Sequence, residues 1–275
     1  MTNGADGELI IARDVDDEPP SGNQRSLTGF SHHFVFWFCV AYTAWHLLVL
    51  NVFPLETWAF RTLHVAGGLG IGFLVATHAV PRLDRVGGGL PAQLLRPLRL
   101  VAAVLVGFAL VAMLAPFALR ALAGLPNPPL WLYDLAAPAL LVGTALAMLL
   151  AWLTPADTSR IDPADWTMAA AAVAVAAYLL FNLQALQFRA GVMPTRPDFL
   201  VTLVGVALIL ECTRRLAGLA LVVISVVFIL YAFVGPWLPG FLAHSGYSPD
   251  RFFTYLYTDN GILGPTVAGL KRFWT

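Results

Sequence analysis

The sequence predicts an all-α fold, a polytopic membrane bundle of about seven spanning helices. Three observations predict it. Only 12% of the 275 residues are charged, about half the roughly 25% typical of soluble domains, and 59% are hydrophobic. The apolar residues arrive in runs close to the roughly 20 residues that cross a hydrocarbon core. Proline, glycine or charge punctuates most boundaries between the runs. The mean hydropathy of +0.75 agrees.

The first 32 residues carry Asp6, Glu8, Asp14, Asp16, Asp17 and Glu18 against Arg13 and Arg25. That is the opposite of a basic leader, and a disordered cytoplasmic tail is expected there. The bundle is expected over 33–235. Its candidate spans are His33–Phe53, Phe60–Val80, Leu98–Ala118, Leu130–Leu153, Trp166–Leu186, Phe199–Cys212 and Leu216–Val234. Phe53-Pro54, Pro81-Arg82, Gly87-Gly88-Gly89, Pro126 to Pro129, Pro155, Pro163, Pro194 and Pro197 mark the turns. Asp165 and Asp198 stand where helix N-caps belong.

The sixth run is short: about 14 residues reach about 21 Å against a core near 30 Å. A single helix over Phe199–Val234 would be about 54 Å long and would bury Glu211, Arg214 and Arg215. Such charges are costly at the bilayer centre, so a tight hairpin is expected, with its charges at the interface. An N-terminus in the cytoplasm puts Arg13, Arg25, Arg82, Arg85, Arg96, Arg99, Arg160, Arg214 and Arg215 on that side. Arg61, Arg120, Arg189, Arg196 and Arg251 fall on the other. The excess favours N-inside in a cell (inner) membrane. Segment 236–275 then reads as an extracytoplasmic interfacial stretch with aromatic anchors, followed from Gly261 by the start of another helix.

The chemistry-bearing groups are few. Net charge is zero, which leaves no footprint for nucleic acid. Cys39 and Cys212 lie in apolar runs and read as small buried hydrophobes. Neither zinc-ligand spacing, a phosphate-cradling loop, nor a nucleophile with its base can be placed. No enzyme activity, metal or cofactor is therefore expected. Glu211 stands three and four residues before Arg214 and Arg215. One helical turn pairs the carboxylate with either guanidinium, and neutralisation is favoured over an ion or substrate contact. Asp134 is expected to cap an interface or to pair with Arg120.

The histidines carry a rival reading. His32 and His46 are 14 residues apart, and so are His64 and His78. That spacing returns each pair to nearly one helix face. In an antiparallel hairpin His46 faces His64 and His32 faces His78, the pattern of a di-haem b-type redox subunit. Gly67, Gly68, Gly70 and Gly72 serve equally well for close helix packing, the reading preferred here.

Glu211-Cys-Thr-Arg214-Arg215-Leu-Ala-Gly218 resembles a signature of fused permeases of tripartite ATP-independent periplasmic (TRAP) transporters, particularly the TAXI type. The likeness continues through Leu230-Tyr231-Ala-Phe-Val-Gly235-Pro236-Trp-Leu238-Pro239-Gly240, then His244 to Ser248 and Gly261 to Gly264. Asp165-Trp166, Tyr178, Arg189-Ala-Gly191, Asp198 and Arg61-Thr-Leu-His64 resemble spaced family positions. The resemblance implies the small, scaffold-like part of a secondary transporter importing organic acids with a cation gradient. Its implied partners are the large transport domain or subunit, an extracytoplasmic solute-binding protein and the lipid bilayer. Residues 82–164 look like an insertion carrying a helical pair. Family members continue for many helices beyond Gly264, so the resemblance implies a truncated frame or a separate chain for the rest.

Overall fold

The computed structural model describes residues 24–77, 92–124, 130–154, 157–258 and 261–264. Its elements are α1 (Gly29–Asn51), α2 (Thr57–Val75), α3 (Ala92–Ala123), α4 (Leu130–Leu153), α5 (Pro163–Phe181), α6 (Leu183–Arg189), α7 (Arg196–Ala217), α8 (Leu219–Val234) and α9 (Pro249–Leu256). Tight 3-10 turns occupy Gly235–Trp237 and Gly240–Leu242. Among the described residues no strand forms, and one isolated bridge joins Gln24 to Ala76. The fold is an all-α helical bundle.

Among the described residues six stretches are long and apolar enough to cross a membrane: Gly29–Asn51, Thr57–Val75, Leu95–Leu122, Trp131–Leu153, Pro163–Phe181 and Leu219–Trp237. The chain is a multi-pass membrane protein. The sixth expected span, α7, differs in kind. It runs 22 residues, about 33 Å, because its charged first and last turns are helical too. Arg196, Asp198, Glu211, Arg214 and Arg215 on that helix keep it out of the apolar set. The fifth run also ends early, at Phe181, and restarts as the short α6 after Asn182.

Both expected aspartate caps are displaced by three residues. Asp162 caps α5, accepting from Ala164 N at 2.8 Å. Thr195 caps α7 through a capping box with Asp198. Asp165 and Asp198 therefore lie inside the first turns, and both are fully buried.

The α7–α8 hairpin forms as expected. Phe253 of α9 meets Phe199 at the start of α7, with ring centres 6.2 Å apart, and Phe233 at the end of α8, at 6.1 Å. The helices are thus antiparallel, and Gly218 reverses the chain at φ +86°, where a side chain would be strained.

Burial separates centre from rim. In the spanning window of α5, 67% is buried, against 11% for α1 and 6% for Leu219–Trp237. The buried face of α5 carries Met168, Ala171, Ala172, Val175 and Tyr178. Small residues let neighbouring backbones approach, the main source of cohesion where lipid is as apolar as the core. Helices α3 and α4 pack on each other and on α5, so the stretch expected as an insertion builds much of the core. Helix α1 packs chiefly on α2. A Cβ on Gly67 would lie 2.3 Å from the Tyr42 ring, so only glycine leaves room for that contact.

Two expectations for the termini change. Residues 24–32 belong to the fold: Gly29 opens α1, and before it Arg25 N donates to Val75 O and Ser26 N to Thr158 O, each at 3.0 Å. The rest of the expected tail, 1–23, lies outside the described residues. On the far side, the aromatic stretch expected from residue 236 onward is only partly superficial. Trp237, Phe241 and Tyr247 are exposed, but Thr254, Tyr257 and Thr258 are buried. The Tyr257 ring sits directly over Gly205 of α7.

Candidate functional site

Among the described residues the buried charges fall in two groups at opposite ends of the bundle. The larger lies where α2, α4 and α7 end and α5 begins. Asp165 Oδ1 accepts from Arg215 Nη1 at 2.6 Å, and Asp165 Oδ2 pairs with Arg25. The side chains of Arg25, Asp165 and Arg215 have no exposed surface. Arg215 Nε continues to Glu211 Oε1 at 2.7 Å. Arg214 donates to Glu211 through Nε and Nη2, both at 2.8 Å. Trp152 Nε1 adds a fourth donor to Glu211 at 3.1 Å.

This arrangement follows from local sequence. On α7 the i,i+3 and i,i+4 spacing brings both guanidiniums to Glu211. On α5 the third residue after the cap points inward and meets them. Three guanidiniums face two carboxylates, and the surplus positive charge meets the end of α2. Arg25 Nη1 donates there to Phe73 O at 3.2 Å and Leu74 O at 3.1 Å. Carbonyls of a last helical turn carry the negative pole of the helix dipole. Aromatic faces add to this. Arg215 lies 5.1 Å from the centre of the Phe73 ring and Arg214 5.3 Å from Trp152, within cation–π range. The charges expected to snorkel toward an interface are instead buried against one another. Glu211 already accepts four hydrogen bonds, about the capacity of a carboxylate, so no lone pair faces an open space for a cation.

The smaller group lies at the other end. Asp198 Oδ1 accepts from Tyr178 at 2.7 Å and from Arg189 Nη2 at 2.8 Å. Thr195 donates to Oδ2 through N at 2.8 Å and Oγ1 at 2.7 Å. This set locks α5, α6 and α7 together. Nearby, Arg61 Nη1 donates to Leu263 O at 3.1 Å, tying α2 to the segment after α9. Among the described residues Asp134 and Arg120 form no ion pair, so the pairing, one of the two roles expected for Asp134, is corrected.

The motif string beyond α8 folds onto itself. His244 packs over Gly235, where a Cβ would meet the ring at 2.2 Å. His244 Nε2 donates to Tyr231 O at 3.0 Å, and Gly246 N donates to His244 Nδ1 at 3.0 Å. Tyr231 donates to Leu242 O at 3.1 Å, and a Cβ on Gly246 would meet Pro236 at 2.9 Å. Pro239 and Gly240, at φ +61°, open the second 3-10 turn.

The histidines divide. His46 faces His64 across the α1–α2 contact, as their spacing anticipates, while His78 lies outside the described residues. His32 sits in the first turns of α1 beside His33. His46 Nε2 and His64 Nδ1 are 2.8 Å apart. Axial ligation by both needs a metal about 2 Å from each nitrogen and a macrocycle between the rings. The directly bonded pair has no room for that, so a haem does not fit there. Among the described residues no cluster of three or more metal-ligating side chains occurs.

Comparison with family models, with curated proteins and with solved structures finds no match to this chain. Sequence reasoning missed Arg25, which it left in the tail, and Trp152. No local signal marks either, since both join the network through contacts 59 to 140 residues away.

Proposed function

We propose that the chain is a scaffold-like membrane component of a TRAP-type secondary transporter, acting with a separate transport domain and an extracytoplasmic solute-binding protein. One observation supports this reading above others. Asp165, Glu211, Arg214 and Arg215, which carry the resemblance on two distant segments, are the residues joined in the buried network. The residues from Tyr231 to Gly246 that continue it form one self-contained turn. Both carboxylates of the network are held by guanidiniums, which suits bracing rather than substrate binding.

In this reading the Arg25 end faces the cytoplasm of a cell inner membrane, in keeping with the arginine excess there. The exposed aromatic ridge of Trp237, Phe241 and Tyr247 then faces the binding protein. Substrates are organic acids, and the cation gradient acts through the transport domain. Proteoliposomes holding this chain alone are expected to take up no organic acid under an imposed cation gradient. Uptake without a partner overturns the scaffold assignment.

A further inference from the structure

The contact between α1 and α2 holds two imidazoles inside a spanning hairpin, and its hydrogen bonds define where each proton sits. His46 Nδ1 lies 2.8 Å from Tyr42 O. A carbonyl only accepts, so this nitrogen carries a hydrogen. In a neutral imidazole the other nitrogen is then bare, and His46 Nε2 must accept. Its partner at 2.8 Å is His64 Nδ1, which must therefore donate. Tyr42 spends its hydroxyl proton on His64 O at 2.6 Å, leaving only its oxygen near His64 Nδ1, at 3.1 Å. The tautomers of both rings follow, and His64 Nε2 is the one bare ring nitrogen with no partner assigned by this pattern.

A proton added at His64 Nε2 keeps every one of these bonds. The His64 Nδ1–H to His46 Nε2 bond becomes charge-assisted, about twice as strong as its neutral form, and the charge is shared between the rings. A second proton has no such place. It would set N–H against N–H at 2.8 Å and put two cations on rings whose centres are 5.0 Å apart. The rings of Tyr42, Trp45 and Phe60 lie 4.2, 4.7 and 5.4 Å from that of His46, each nearly perpendicular to it, and enclose the pair.

Among the described residues no carboxylate is bonded to the pair. On the hairpin itself the other titratable or charged groups are His32, His33, Cys39, Arg61 and the capping Glu56 in the turn. Arg61 is turned to Leu263 O and Glu56 to Ala59 N. From α5 and α7, Asp165 and Arg215 meet the last turns of α2, as does Cys212 at Gly72. Tyr178 and Asp198 bond each other at the opposite end of α5, and Glu211 and Arg214 bond each other beside Trp152.

We propose that His46 and His64 form a single-proton site, which binds one proton as a shared imidazole–imidazolium pair within the membrane span. This assignment does not rest on the transporter reading. The test is nitrogen NMR on the full chain in lipid nanodiscs with 15N-labelled histidine, titrated across roughly pH 4 to 8, a range bracketing the unperturbed imidazole. Both rings are expected to respond in one joint step, with nitrogen–nitrogen coupling across their hydrogen bond kept in the protonated form. In His46→Gln, His64 is expected to need about tenfold more proton for the same occupancy, a change of one pH unit. Two separate steps, no uptake by either ring, or no coupling at any pH would overturn the site. The wild-type spectra decide it even where the variant fails to fold.

Discussion

Asp165 shows how a single side chain can hold a membrane bundle together. Its carboxylate meets Arg25 from the N-terminal strap and Arg215 from α7, with no exposed surface on any of the three. Removing one member of a buried pair strands the others, at a cost of about 3–5 kcal/mol. Asp165→Asn is therefore expected to lower thermal stability in detergent sharply. Arg25→Met is expected to cost clearly less, because Asp165 keeps Arg215 and the surplus positive charge goes. Equal losses in the two melting curves would remove the assigned order of importance. The Glu211 spacing was legible in the sequence, since one helical turn dictates it. Arg25 was not, because nothing local ties an arginine in a polar stretch to an aspartate 140 residues later.

Helix identity was read well and helix edges less well. Each of the seven apolar runs holds a helix among the described residues, yet Asp165 and Asp198 are the third residues of their helices, inside the first turn, not caps. Cap and inward-facing aspartates look alike in a sequence, and only the neighbours of the carboxylate tell them apart. Glycines at contacts behave the same way. Gly205 has the Tyr257 ring 2.5 Å from where its Cβ would be, whereas Gly107 has nothing within 4 Å. Gly205→Val is expected to expel Tyr257 and loosen α9, seen as faster tryptic cleavage at Arg251 in detergent. Gly107→Leu leaves that rate unchanged. Cleavage unaffected in the first variant would mean that α9 is held by other contacts.

At the scale of the molecule, α1 and α8 expose most of their apolar surface. Water would not tolerate so large a patch on a monomer, and in a bilayer those faces meet lipid or another membrane protein. Trp37 on α1 is 65% exposed, whereas Trp58 on α2 is 3% exposed. In variants that keep one tryptophan, brominated acyl chains are expected to quench Trp37 strongly and Trp58 weakly. The reverse order would mean that α1 is not on the lipid-facing rim.

The sequence by itself determined that the chain is all-α and crosses a membrane several times. Those properties depend on composition and run length, because a backbone in hydrocarbon must satisfy its own hydrogen bonds. It also determined that a tight hairpin joins the sixth and seventh runs, although the turn expected between Cys212 and Leu216 lies at Gly218, with Arg214 and Arg215 still helical. Only the tertiary structure decided which charges meet, that residues 24–28 close the network, that α3 and α4 build the core, and that His46 touches His64 directly. Each of these depends on helices distant in sequence coming within about 3 Å, the reach of a hydrogen bond, and no local pattern encodes that distance.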